Sequence, residues 1–381
     1  MIYLDYAATT PADPRVVEKM LAYLGHDSCY ANPASRSHML GWQAEAAVES
    51  ARKQIATGLH CDVRELVWTS GATEANNLAI KGLAEYFADQ NDPRKHIVSS
   101  ATEHKAVLDA CTYLETKGYE VTFVRPDDQG VVTPEILEEV VRPDTLLVSV
   151  MHVNNETGVI NPIKELAEFI KSKGIFFHAD CAQSAGKLPL DLSKIPADLV
   201  SLCAHKIYGP KGIGVLFVRR SADFQLVSQI HGGGHERGMR SGTLPTHQIA
   251  GFGEAFRLSL DEMDGEQSRI ESLKKRFVDA LQGVDMIVNG EGAMSVAGIV
   301  NLSFPGVDGQ MLLTALPNLA ISSGSACNSA SMAPSHVLKA MGLSDELALS
   351  SLRFSFGRFT TDADVDNAAA VLKDALLKMQ S

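Results

Sequence analysis

The side chains best placed to do chemistry stand just after apolar runs. Lys206 follows "DLVSL" within "CAHKIYGPKG" and precedes a Gly/Pro turn. An ammonium at the end of a buried strand is desolvated, which lowers its pKa and makes the amine a Schiff-base candidate. A lysine that snorkels to solvent is the alternative. Asp180 closes "GIFFHAD" and is costly to bury unless it meets a metal, an arginine, a protonated ring nitrogen or the start of a helix. Gly71-Ala72-Thr73 follows "LVWTS" and precedes a helical pattern. Its N–H groups and the positive end of the helix dipole suit a phosphate, although an ordinary helix start reads the same way. His104 opens a helix after "SSATE", where it could stack on a planar ligand, shuttle protons or cap the helix. Cys327 lies in "SSGSACNSAS", among residues that can neither pack nor hold still; it is either incidental to a loop or a thiol that has to move.

The elements that must position these groups follow from the hydrophobic pattern. Between about residues 65 and 220, apolar runs ("ELVWTS", "KHIVSS", "YEVTFV", "TLLVSVM", "GIFFHAD", "DLVSLCA", "IGVLFV") alternate with helical patterns such as "EANNLAIKGLAEYFA" and "EHKAVLDACTYLETKG". Such alternation predicts an α/β domain with a large, mostly parallel, seven-stranded sheet covered on both faces. "SHMLGWQAEAAVESARKQIATGLH" predicts one long amphipathic helix before it. Beyond about residue 260 the pattern changes to a smaller α+β domain, with strands "GIVNLSF" and "SSLRFSF" and a closing helix "DADVDNAAAVLKDALLKM". The expected division is a large domain over 15–258 and a small domain over 1–14 and 259–381, the latter carrying the cysteine loop. In such sheets ligands sit at the carboxyl ends of strands, where the candidate residues fall. Arg353 is the one charge in "SLRFSF", either a carboxylate partner or a solvent-facing alternate position.

Composition narrows the class. The 381 residues are 45% hydrophobic and 21% charged, which is enough to bury a sizeable core. A net charge of −12 argues against nucleic acid or an anionic membrane as a direct partner. No apolar run approaches the ~18 residues of a membrane span, and "MIYLDYAATTPADP" lacks the pattern of a signal peptide. Cys29, Cys61, Cys111, Cys181, Cys203 and Cys327 are scattered without a CxxC pair, so neither a disulfide framework nor a zinc site is expected, and a reducing cytoplasm fits. His231 and His235 are separated by three glycines, which argues against a metal-binding helix.

Taken together, a phosphate cradle, an acid for a ring nitrogen and a Schiff-base lysine, all at strand ends, describe a pyridoxal phosphate site. The stretches "YLDYAATTP", "NPASRSH", "TSGATEANN", "TEHKAVL", "MHVNNETG", "HADCAQ", "AHKIYGPKGIG", "GGGHERGMRSGT", "SSGSACNSAS" and "LRFSFGRFTT" then make the resemblance specific. From residue 2 to about residue 378 the chain resembles the cysteine desulfurases of the NifS/IscS type, within the class V aminotransferase-like family of pyridoxal phosphate enzymes. The resemblance implies that Lys206 holds the cofactor, Asp180 pairs with its pyridine nitrogen, Gln183 bonds its phenolic oxygen and His104 stacks on its ring. It places Ala72, Thr73, Cys203 and His205 on the phosphate, together with Thr243 from a second subunit, and so implies a homodimer. It assigns Asn155, Arg353 and Asn32 to the substrate, with Asn155 also at the cofactor.

The implied reaction converts L-cysteine to L-alanine. Lys206 takes the Cα proton, His104 serves protons near the sulfur, and the Cys327 thiolate receives the sulfur as a persulfide before passing it to an acceptor protein. Small neighbours would let Cys327 swing between the site and that acceptor. Cys203 departs from the Ser or Thr usual at its position, and a thiol is the weaker donor. "VLKDALLKMQS" is read as the last helix, without the tail that the resemblance associates with docking an iron–sulfur scaffold, so the expected acceptor stays open between an iron–sulfur scaffold, a tRNA-thiolation relay and a DNA-phosphorothioation system. The alternatives are a selenocysteine lyase or aminotransferase of the same family, or a non-catalytic sulfur-relay protein.

Overall fold

The computed structural model describes residues 1–220, 224–323 and 333–379. Its largest sheet is built from β1 (Leu66–Thr69), β2 (His96–Ser100), β3 (Glu120–Val124), β4 (Thr145–Ser149), β5 (Phe176–Asp180), β6 (Leu199–Cys203) and β7 (Gly214–Val218). The spatial order is β1-β7-β6-β5-β4-β2-β3. All neighbours pair in parallel except at β7, which runs antiparallel to both β1 and β6. The reversal has a local cause. The connection between β6 and β7 is residues 204–213, through His205, Lys206, Gly209 and Pro210, shorter than the dozen or more residues a parallel crossover takes.

Strands buried on both faces read as continuous apolar runs, which is why all seven were visible in the sequence. Edge strand β3 is the least buried. One face packs Trp68, Phe177, Leu202 and Phe217 against Ile55 and Leu59 of helix α1 (Met39–Leu59) and Phe252 and Phe256 of the helix Thr246–Asp261. The other packs Ile97, Leu146 and Leu199 against α2 (Ala72–Asp89) and α3 (Lys105–Glu115).

A third apolar cluster joins Leu4 to residues from Ile270 to Leu376. It fills the space between the helices Met263–Ala280 and Asp362–Met379 and an antiparallel four-stranded sheet. That sheet contains β8 (Ile299–Ser303), β9 (Ser322–Ser323) and β10 (Ser351–Ser355). The N-terminal strand Ile2–Tyr3 pairs with Leu319–Ala320, which brings residues 4 to 9 past the carboxyl ends of the large sheet. The site lies where those ends meet the small sheet.

Candidate active site

A cleft of ≈640 Å³ is lined by Ala72, Thr73, His104, Asn155, Asp180, Gln183, Cys203, His205, Lys206 and Arg353, all expected from the sequence. Asp5, Asn76 and Glu156 line it as well and were not expected. Thr243 and Asn32 are exposed and lie outside the cleft of their own chain; the Asn32 carboxamide accepts the Ala34 N–H at 2.9 Å. Cys327 lies outside the described residues. Ser322 and Ser323, which precede its segment, line the cleft, and Ser335, which follows it, bonds Glu156.

The start of α2 suits an anion. Its N-cap is Gly71, with no side-chain cap, so the first-turn N–H groups have no capping acceptor. Gly71 has φ of +153°, and a Cβ on Gly214 would come 2.7 Å from the Gly71 backbone. The close approach of β7 to this turn therefore requires glycine. Glu74, in the first turn, is paired with Arg240 at 2.8 Å.

Asp180, at the end of β5, accepts the Ala182 N–H at 2.9 Å and the Asn76 carboxamide at 2.7 Å. It caps no helix, and no arginine or lysine pairs with it among the described residues. Two neutral donors hold the carboxylate in place while leaving its charge for a cation in the cleft. Asn76 is fully buried on α2. A buried carboxamide on an apolar helix face was the available signal for it.

His104 realises two of its readings at once. It caps α3, with Nδ1 accepting the Ala106 N–H at 3.1 Å, and its ring also lines the cleft. An accepting Nδ1 has no proton, so the neutral ring carries its hydrogen on Nε2. Burial and the nearby Lys206 charge lower its pKa, against the pull of Asp180. His205 is pushed down to about 4, first by burial and then by Lys206, and so stands neutral beside Thr9. Burial pushes the Cys203 thiol up to about 11 and keeps it protonated.

Lys206, just past β6, donates to the Ala7 carbonyl. The same carbonyl accepts Gln183 Nε2 at 2.8 Å, and Gln183 Oε1 accepts Lys187 Nζ at 3.0 Å. Lys187 was not singled out from the sequence.

On the opposite wall, Arg353 in β10 is buried; it is not the solvent-facing alternate residue that "SLRFSF" also allowed. Its guanidinium donates to the Asn155 carbonyl at 2.7 Å and pairs with Asp5 at 2.7 Å. Among the described residues, Arg353 Nε and Asn155 Oδ1 are buried without a partner. Burial pushes neighbouring Glu156 up to about 7, and its carboxyl accepts the Ser335 hydroxyl. Among the described residues no group of three or more His, Cys, Asp or Glu could hold a metal ion, and no helix is long and apolar enough to cross a membrane.

The Aminotransferase class-V family profile matches residues 2–368. "Cysteine desulfurase IscS" of Stutzerimonas stutzeri is 55% identical over 380 residues, covering 100% of this chain and 93% of the relative. A solved "NIFS-LIKE PROTEIN" superposes with a TM-score of 0.91 at 34% identity, covering 99% of each chain. "SspA in complex with cysteine" does so at 0.84 and 37%, covering 95% of this chain and 100% of that one. The chain belongs to the class-V aminotransferase family, and within it to the cysteine desulfurases.

Enzymes of this family use pyridoxal phosphate, and the residues of the cleft fit that group. An uncapped helix start suits the phosphate, an acid held by two neutral donors suits a protonated ring nitrogen, and a lysine lines the same cleft.

Proposed function

We propose that the protein converts L-cysteine to L-alanine with pyridoxal phosphate held by Lys206, moving the sulfur to Cys327 and then to an acceptor protein. The observation that carries this reading is the convergence of Lys206, Asp180, His104, Arg353 and the open start of α2 on one cleft. When bound, the cofactor supplies an electron sink for the pair left at Cα once its proton is removed. The uncapped N–H groups near Ala72 and Thr73 hold the phosphate, joined by Cys203, His205 and Thr243 of a second subunit. Asp180 keeps the ring nitrogen protonated, and Gln183 turns an N–H toward the phenolic oxygen. Arg353 and Asn155 receive the substrate carboxylate, with Asn32 at the edge of the site.

Lys206 accepts the Cα proton, and the Nε2–H of His104 faces the sulfur side of the substrate. The Cys327 thiolate forms an S–S bond to the substrate sulfur as the C–S bond breaks. The electron pair stays on Cβ and takes a proton there. L-cysteine and a thiol thus become L-alanine and a persulfide, with all atoms retained.

Leu21, Leu24, Tyr30, Met39, Leu40 and Trp42 are exposed in the stretch that includes Asn32, which supports a homodimer with this surface covered. The units are 15–258 for the cofactor and 1–14 with 259–381 for the substrate side. A thiol that must stay reduced between turnovers fits the cytoplasm, with an iron–sulfur scaffold or a thiolation relay as acceptor. The test is release of alanine and sulfide from L-cysteine with added thiol. Equal amounts of both support the reading, and pyruvate or keto acid in place of alanine refutes it.

A further inference from the structure

Behind Lys206 lies a second lysine in a position the reaction above leaves unused. Lys187 follows β5 and is half-buried as a residue, but its ammonium turns inward to Gln183 Oε1 at 3.0 Å. It lines a separate small chamber of ≈30 Å³ that shares only Ala7 and Lys206 with the main cleft.

The bonding around Gln183 is one-directional. A lysine ammonium can only donate, so the oxygen of the Gln183 amide must face Lys187. The Ala7 carbonyl can only accept, so the nitrogen must face Ala7, where it donates at 2.8 Å. Of the two hydrogens on Nε2, one is used by Ala7 and the other remains for the cleft, which Gln183 lines. Without Lys187 only the Ala7 carbonyl orients the amide, so the flipped form, which puts an acceptor where a donor belongs, is less strongly opposed.

The same ammonium sets the local field. Lys206, Cys203, Glu266 and Arg353 face it. Burial, and then the Lys206 charge, push its pKa down to about 7. Its charge is in turn felt at Cys203 and His205.

We propose that Lys187 is a positioning residue of this site, locking the Gln183 amide with an N–H toward the cleft and, while its own amine is protonated, placing a second positive charge beside Lys206. Both effects favour the unprotonated Lys206 nitrogen, the form that can accept a proton. A neighbouring cation disfavours a second one, and a donor held on the phenolic oxygen stabilises its anionic state. The inference rests on the pyridoxal phosphate reading of the cleft.

The test is a pH titration of the visible absorbance of the holoenzyme, which reports the proton on the Lys206 nitrogen without any turnover. Lys187→Met is expected to raise the midpoint by about half a unit or more. Lys187→Arg, which keeps the charge and the donor, is expected to restore it. Lys187→Gln gives a second neutral variant should the methionine variant fail to fold, and its midpoint is also expected to rise. An unmoved midpoint in the neutral variants, or an Arg variant displaced as far as they are, overturns the proposal. Absence of the visible band from the parent protein would instead refute the cofactor reading itself.

Discussion

On one wall of the cleft, Asp180, Lys206, His104 and the start of α2 each stand within a few residues of a strand end. On the other, Arg353 meets Asn155 from 198 residues away and Asp5 from 348. The first wall is positioned by sheet hydrogen bonds, and two neutral donors hold its acid. The second exists only where the small sheet meets the large one, and among the described residues it keeps two buried polar atoms, Arg353 Nε and Asn155 Oδ1, without partners. Unpaired buried polar atoms are costly; a carboxylate entering the cleft could accept the Arg353 Nε–H, whereas the Asn155 amide oxygen calls for a donor. Cofactor binding and substrate binding should therefore be separable by mutation.

The largest break in that comparison is expected from Lys206→Ala on the first wall. It removes both the attachment of the cofactor and the proton acceptor. Desulfuration should fall by roughly 10²–10⁴-fold or more, and the visible absorbance of the bound cofactor should disappear. A borohydride-reducible chromophore retained on another lysine would refute the assignment. On the second wall, Arg353→Ala should leave that absorbance intact while raising KM for L-cysteine about 10- to 150-fold, the equivalent of ~1.5–3 kcal/mol for a charge-assisted bidentate pair. Steady-state kinetics decide it, and an unchanged KM removes Arg353 from the site.

Glu156 gives a pH-dependent break on the second wall. Its folded pKa is raised from 4.5 to about 7 by burial. The unfolded chain ionises first, so the stability associated with neutral Glu156 is fully present below about pH 4.5 and is lost as pH rises toward 7. Glu156→Gln keeps an acceptor for Ser335 and should remove on the order of 3 kcal/mol of the stability change across that window. Denaturant unfolding at several pH values checks it, and a slope equal to the parent's would contradict the burial argument. The smallest effect is expected from Cys203→Ser, back on the first wall. A hydroxyl is a better donor to phosphate than a protonated thiol, so cofactor loss on dialysis should slow by up to about 2- to 10-fold. Faster loss would give the thiol another purpose.

The two walls were also unequally legible. Asp180 and Lys206 could be read because a charged residue closing or following a continuous apolar strand needs a reason, and the reason is local. His104 could be read for the same cause, although both its capping and its cleft-lining roles turned out to be real. Asp5, Glu156 and Lys187 were not legible as site residues, because their partners are distant in sequence or follow from side-chain packing that local patterning does not encode, and Asn76 left only the signal of a carboxamide on an apolar helix face. The alternation in "SLRFSF" allowed Arg353 to face solvent. It is buried because the whole of β10 is covered on both faces. Antiparallel β7 was likewise hidden within a mostly parallel expectation, since only the length of the preceding turn marks the reversal.

On this reading the cleft delivers sulfur from L-cysteine to Cys327. The most direct measurement incubates the protein with L-cysteine labelled in its sulfur, traps free thiols and persulfides by alkylation, and maps the label to peptides. The account predicts one labelled sulfur per alanine released, on the peptide containing Cys327, and none on that peptide in Cys327→Ser, which should still bind pyridoxal phosphate and still change its spectrum with L-cysteine. Label on Cys203 or Cys181, or alanine formed in Cys327→Ser at the parent's rate, would contradict it.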